Sequence, residues 1–179
     1  MKTVLLLTGS PGTGKTSIIR KAVAKTELKA GGFYTEEVRE DGRRRGFKVV
    51  TLDGQESTLA DVGMKSPHRV GKYGVDIEAF DATAIPSLYR ALGDKDLVVV
   101  DEIGKMELLS SPFRETITRA IESGTRVLGT ITANPHPYAD EIRRHPAVDT
   151  LVVTRNTRDT ILDAVMQWLA TIPPQSRTA

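Results

Sequence analysis

Cysteine is absent from this chain of 179 residues. Disulfides, zinc–thiolate sites and cysteine nucleophiles are excluded with it, and the lack fits a reducing cytoplasm. Surplus charge is scarce as well. Lys+Arg number 25 against 23 Asp+Glu, so a polybasic protein built to hold nucleic acid or an anionic membrane is not supported. No apolar run approaches the roughly 20 residues that a bilayer crossing needs. The start, MKTVLLLTGS, has one lysine and a short apolar stretch that ends in a glycine-rich pattern instead of a small-residue cleavage site, and reads as a strand, not a signal peptide. His68, His136 and His145 lack metal-ligand spacing and read as ordinary loop residues. Repeats and low-complexity linkers are missing too. These absences leave a soluble cytoplasmic protein with a single core over residues 1–172, a flexible tail at 173–179, and a monomer as the expected state.

What is present alternates between two periods. Thr3–Thr8 is a continuous apolar strand of the kind buried on both faces of a parallel sheet, and Lys15–Lys25 is an amphipathic helix. Phe33–Val38 and Phe47–Leu52 predict a hairpin turned at Asp41–Gly42. Lys65–Gly74 reads as a loop, and Asp76–Leu92 as a helix disturbed at Pro86. Leu97–Val100 is the most apolar strand. Ser111–Pro112 opens the next helix with Ser111 as its cap, and Gly124 stops it. Strands at Arg126–Thr132 and Val148–Thr154 follow, then a last helix presenting Ile161, Leu162, Val165, Met166 and Leu169. The fold class is α/β: a three-layer arrangement on a mostly parallel sheet, with the antiparallel hairpin added at an edge. Ligands of such sheets bind outside the carboxyl ends of the strands.

Two motifs stand at such ends. Gly9, Ser10, Pro11, Gly12, Thr13, Gly14, Lys15 and Thr16 match the GxxxxGK[ST] phosphate loop between a strand and a helix. Glycines let main-chain N–H groups curl inward on phosphate oxygens, and the helix N-terminus adds positive potential. Lys15 is expected at the β- and γ-phosphates and the Thr16 hydroxyl on Mg²⁺. Asp101, at the end of LVVVD, is the expected second metal ligand, and Glu102 beside it the group that deprotonates an attacking water. Room for an additional central strand between Thr16 and Asp101 points to the P-loop branch that uses such a glutamate.

DEIGKMEL (Asp101–Leu108), together with the phosphate loop, resembles the THEP1 family of small nucleoside-triphosphatases. The likeness continues through GGFYTEEVRE (Gly31–Glu40), VGKYGVD (Val70–Asp76), Ile85–Pro86, GTIT (Gly129–Thr132), EIRR (Glu141–Arg144) and VTRNTRD (Val153–Asp159). It implies a RecA-like P-loop NTPase fold and Mg²⁺-dependent hydrolysis of nucleoside triphosphates to diphosphate and phosphate with broad base tolerance. Val98, Val99, Val100, Asp101, Glu102, Ile103, Gly104 and Lys105 would complete the nucleotide site. The family's TxENRD stands here as TRNTRD, a departure in the middle of the motif.

Several residues keep two readings. Arg158 stands open beside a proposed capping box of Asn156 and Asp159. Lys105 and Glu107 are open between the site and an ordinary loop, and Arg143 and Arg144 between phosphate and a solvated helix face. Arg43–Arg45 read as a solvated hairpin tip. The rival functions are a nucleotide or small-molecule kinase, for which no arginine-rich lid is identified, and a nucleotide-dependent switch protein.

Overall fold

Lys15 begins and Lys25 ends the first helix of the computed structural model, which describes residues 2–174. The predicted tail falls mostly on 175–179 and lies outside the described residues. Strand β1 (Val4–Thr8) leads into that helix, α1 (Lys15–Lys25), through the glycine loop. A hairpin of β2 (Ala30–Glu40) and β3 (Arg43–Thr51) follows, longer than the apolar pattern predicts because charged residues pair to its tip. Glu40 pairs with Arg43, and the two turn residues Asp41 and Gly42 carry φ of 48° and 73°, the handedness that two-residue hairpins favour. The expected loop 65–74 contains two short strands. β5 (Arg69–Val70) and β6 (Tyr73–Val75) form there because β4 (Glu56–Asp61) offers β6 an edge to pair with.

Asp76 caps α2 (Ile77–Asp94) by accepting the Ala79 N–H at 2.9 Å, and Pro86 is accommodated inside the helix. Strand β7 (Leu97–Ile103) runs through Asp101 and Glu102 instead of stopping at Val100. A 3-10 turn at Glu107–Leu109 leads to α3 (Ser111–Glu122). Its cap is Ser110, one residue before the predicted Ser111, with Pro112 second in the helix. The chain ends with β8 (Val127–Ile131), α4 (Pro137–Arg144), β9 (Val148–Val152) and α5 (Arg158–Ala170). The capping box at Asn156 does not form. Thr157 holds the cap position of α5, and its hydroxyl is engaged with Thr154 instead.

One nine-stranded sheet runs in the order β5-β6-β4-β3-β2-β7-β8-β1-β9. Strands β2, β7, β8, β1 and β9 are parallel, and β3, β4, β6 and β5 extend the sheet antiparallel beyond them. The extra central strand exists, but β8 supplies it. That strand, from after Asp101, lies between β7 and β1, while the segment between Thr16 and Asp101 supplies the central parallel strand β2 on the other side of β7.

Helices cover both faces. Phe80, Leu88, Phe113, Ile117 and Ile142 bring α2, α3 and α4 onto one face, with Phe33, Val98 and Val100 beneath. Ile18, Ile19, Val165 and Leu169 bring α1 and α5 onto the other, over Leu5, Leu7 and Val99. Phe33, Phe80 and Phe113 meet edge to face at centroid distances of 5.7, 6.1 and 5.4 Å. Beside them a side chain at Gly32 (φ 116°) would stand 2.0 Å from the Val99 carbonyl, so only glycine lets β2 lie this close on β7. No helix among the described residues is long and apolar enough to cross a membrane.

Candidate active site

The loop from Gly9 to Thr16 sits at the carboxyl end of β1, where a close main-chain approach dictates its first residue. Gly9 has φ 141°, and a Cβ there would lie 2.4 Å from the Val153 carbonyl. Gly12 and Gly14 also take positive φ, 76° and 96°, and Gly14 is the N-cap of α1 with no side chain to cap it. The first-turn N–H groups of α1 therefore face the loop without a side-chain acceptor from their own cap. Lys15 arches over the loop, its Nζ donating to the Gly9 carbonyl at 2.8 Å and the Ser10 carbonyl at 3.0 Å. Thr13 Oγ1 donates to the Ser10 carbonyl at 2.9 Å, while Ser10 and Pro11 are exposed.

Asp101 and Glu102 come from β7, two strands away. The register of β7 against β8 shifts between Val100 and Ile103, so simple strand alternation does not govern the acid pair. Asp101 is 2% exposed, and two neighbouring strands fix it. Thr130 of β8 donates to Oδ1 at 2.6 Å, and Thr35 of β2 donates to its carbonyl at 2.6 Å. Oδ2 is buried with no hydrogen-bond partner. Burial pushes the Asp101 carboxyl above the ordinary aspartate range, against the Thr130 and Thr16 hydroxyls and the charges of Arg20 and Lys15. Glu102 is also pushed up, first by burial and then by Asp101, with Lys15 opposing. The loop follows β1 and the acid pair lies near the end of β7, so both stand at the carboxyl edge of the parallel strands with β8 between them.

A family model described as NTPase matches residues 4–166. The THEP1 nucleoside-triphosphatase of Thermotoga maritima is 42% identical over 165 residues, covering 92% of this chain and 94% of that protein. The chain belongs to the THEP1 family. The human cancer-related nucleoside-triphosphatase is 40% identical over 178 residues, covering 90% of this chain and 94% of its own. The crystal structure of THEP1 from Aquifex aeolicus superposes with a TM-score of 0.84 at 36% identity, over 93% of this chain and 98% of that one. Members of the THEP1 family are named as nucleoside-triphosphatases, a family of hydrolases.

Within this THEP1 chain the remaining predicted residues divide. Val98, Val99 and Val100 are at most 1% exposed, and their side chains enter the two helical layers, not the space beside the loop. Ile103 is likewise core, whereas Lys105 is exposed. Gly104 packs so tightly that a Cβ would come within 2.9 Å of Glu107 Oε2 and 3.2 Å of Glu102 Cδ. Arg143 is half-buried, hydrogen-bonding the Thr132 carbonyl and pairing with Asp140. The run Arg43–Arg45 is partly neutralised, Arg44 by Glu37 and Arg45 by Glu40 and Asp61. His136 accepts the Tyr138 N–H at 3.2 Å as the cap of α4, and His145 accepts that of Ala147 at 3.1 Å.

Three residues around Asp101 escape the sequence: Thr35, Thr130 and Arg20. Arg20 pairs with Glu36 at 2.6 Å, covers the Tyr34 ring at 4.4 Å and extends its field to Asp101. A faint signal did exist for it, since Arg20 lies four residues after Thr16 on the same face of α1. Thr35 and Thr130 reach the site only through strand register, 66 residues before and 29 after Asp101.

Proposed function

We propose that this protein hydrolyses nucleoside triphosphates to diphosphate and phosphate in a Mg²⁺-dependent reaction that tolerates all four bases. The observation that carries the reading is geometric: a glycine loop closed by Lys15 at the end of β1 stands two strands from the buried Asp101, whose Oδ2 has no hydrogen-bond partner. Main-chain N–H groups of residues 9–16 cradle the phosphates, and Lys15 exchanges its carbonyl partners for β- and γ-phosphate oxygens. The donor set suits magnesium: the Thr16 hydroxyl and the Asp101 carboxylate are hard oxygens, and Asp101 Oδ2 is a buried acceptor with no protein partner. Magnesium held there supplies neutralisation of phosphate charge. Thr130 and Thr35 keep the Asp101 carboxylate from turning away. Glu102, whose proton affinity burial raises, takes the proton of the attacking water as its oxygen bonds to the γ-phosphorus and the bond from that phosphorus to the β–γ bridging oxygen breaks, releasing the diphosphate.

Arg20 and Arg143 are both engaged with carboxylates, so neither guanidinium is free to neutralise the transition state, and turnover is slow. Arginine fingers contribute about 10³ to 10⁵ in rate. Phosphate release is measured with ATP, GTP, CTP and UTP, with and without Mg²⁺. Glu102→Gln should bind nucleotide as the parent does while phosphate release falls by about 10²-fold or more. Unchanged hydrolysis by that variant removes Glu102 from the mechanism. Transfer to an added nucleoside in place of phosphate release indicates a kinase instead.

A further inference from the structure

Arg158 makes contacts that hydrolysis at the acid pair does not use. In the sheet, β7 with its carboxylates lies to one side of β1, and β9 lies next to β1 on the other. A triphosphate laid across the loop with its terminal phosphate toward Asp101 and Glu102 therefore sends its nucleoside toward β9. Arg158, the first residue of α5, stands on that side and is exposed. Its Nε donates to the Thr13 carbonyl at 2.7 Å and its Nη2 to the Gly12 carbonyl at 3.4 Å. The side chain lies across Gly14, with Nε, Cζ and Cδ at 3.0, 3.3 and 3.4 Å from where a Cβ would stand. One edge of the guanidinium is thus pinned to the phosphate loop by a residue 145 positions later in the chain.

We propose that Arg158 is the nucleobase platform of this site, its edge fixed on the Gly12 and Thr13 carbonyls and its flat face stacked against the base of the bound nucleotide. This deepens the nucleotide-hydrolysis reading and rests on it. A planar guanidinium stacks on aromatic faces, and every base has one, so the contact favours purines and pyrimidines alike. It carries no acceptor and reads no base edge here, because its donors on the loop side are already committed. Lysine in its place would keep a donor for the carbonyls and lose the plane.

The test compares the intact protein with Arg158→Lys and Arg158→Ala by titration calorimetry in Mg²⁺ buffer. The ligands are the β,γ-imido analogues of ATP, GTP, CTP and UTP, and inorganic tripolyphosphate, which has the same charged chain and no base. Both variants should weaken all four nucleotides by about tenfold while tripolyphosphate changes by less than about twofold. Equal loss for tripolyphosphate would reduce Arg158 to a brace of the loop and overturn the platform. So would full affinity in Arg158→Lys, or a loss confined to one base. Wild type that binds the analogues but releases no phosphate from the natural triphosphates refutes the hydrolase reading alone, since the dissociation constants still decide the platform.

Discussion

Glu107 is a carboxylic acid 4% exposed, held in the 3-10 turn beyond β7 and pressed against Gly104. Burial pushes its carboxyl well above the ordinary glutamate range, and the neighbouring charge of Glu102 pushes the same way, while backbone N–H groups of Glu107 and Gly104 oppose. Because the folded value is raised, the stability it contributes is fully present below the unfolded value and is lost as pH climbs through the folded one. Thermal unfolding of wild type and Glu107→Gln across pH should therefore give curves that converge in acid and separate upward from the ordinary glutamate range, the variant melting higher. A separation independent of pH would contradict burial as the cause. The same crowding bears on Gly104→Ala, whose methyl group would meet both carboxylates. At this scale the site's chemistry was legible and its support was not. GKT and DE announce themselves by spacing, but nothing near Asp101 in sequence points to Thr35 or Thr130.

The elements show where local pattern suffices and where distant contacts decide. Ser110 Oγ accepts the Phe113 N–H at 3.0 Å and donates to Asp81 of α2. Ser110→Ala should cost about 1–2 kcal/mol as it strips the cap. In urea titrations this appears as a lower midpoint with an unchanged slope. Both Ser110 and Ser111 are competent caps by type, and Pro112 suits a position just inside the helix under either choice. The partner on α2, 29 residues earlier, goes with the cap that forms, and local pattern cannot see it. At α5 Thr157 spends its hydroxyl on Thr154 and Asn156 stays outside the cap. β5 and β6 are too short to carry a period of their own and depend on the edge of β4. By contrast, α1 and the Asp41–Gly42 hairpin turn emerged from the sequence intact, because each is encoded within its own residues. Phe113→Ala, at the centre of the aromatic cluster, should cost about 3–5 kcal/mol, measured by the same titration.

For the whole molecule, the site is a joint between segments that the chain keeps far apart, so ligand should hold the fold together. Nucleotide with Mg²⁺ at 100 times its dissociation constant adds about 2.7 kcal/mol. For a chain of this size that is a rise of roughly 5–10 °C in Tm. Scanning calorimetry with the β,γ-imido ATP analogue should show this rise, and Thr16→Ala should remove most of its Mg²⁺-dependent part. An equal Mg²⁺-dependent rise in that variant would place the metal elsewhere.

Strand β1 has a history as well as a position. Its two neighbours, β8 and β9, span Val127–Ile131 and Val148–Val152, and both are made more than a hundred residues after VLLLT leaves the ribosome. Until then β1 lacks both of its sheet neighbours, while β2, β3 and β4 can already pair among themselves. A nascent chain of this protein therefore carries the apolar strand β1 with both edges unpaired until β8 is made, a natural target for chaperones and a point of aggregation if the segment bearing β8 and β9 is truncated.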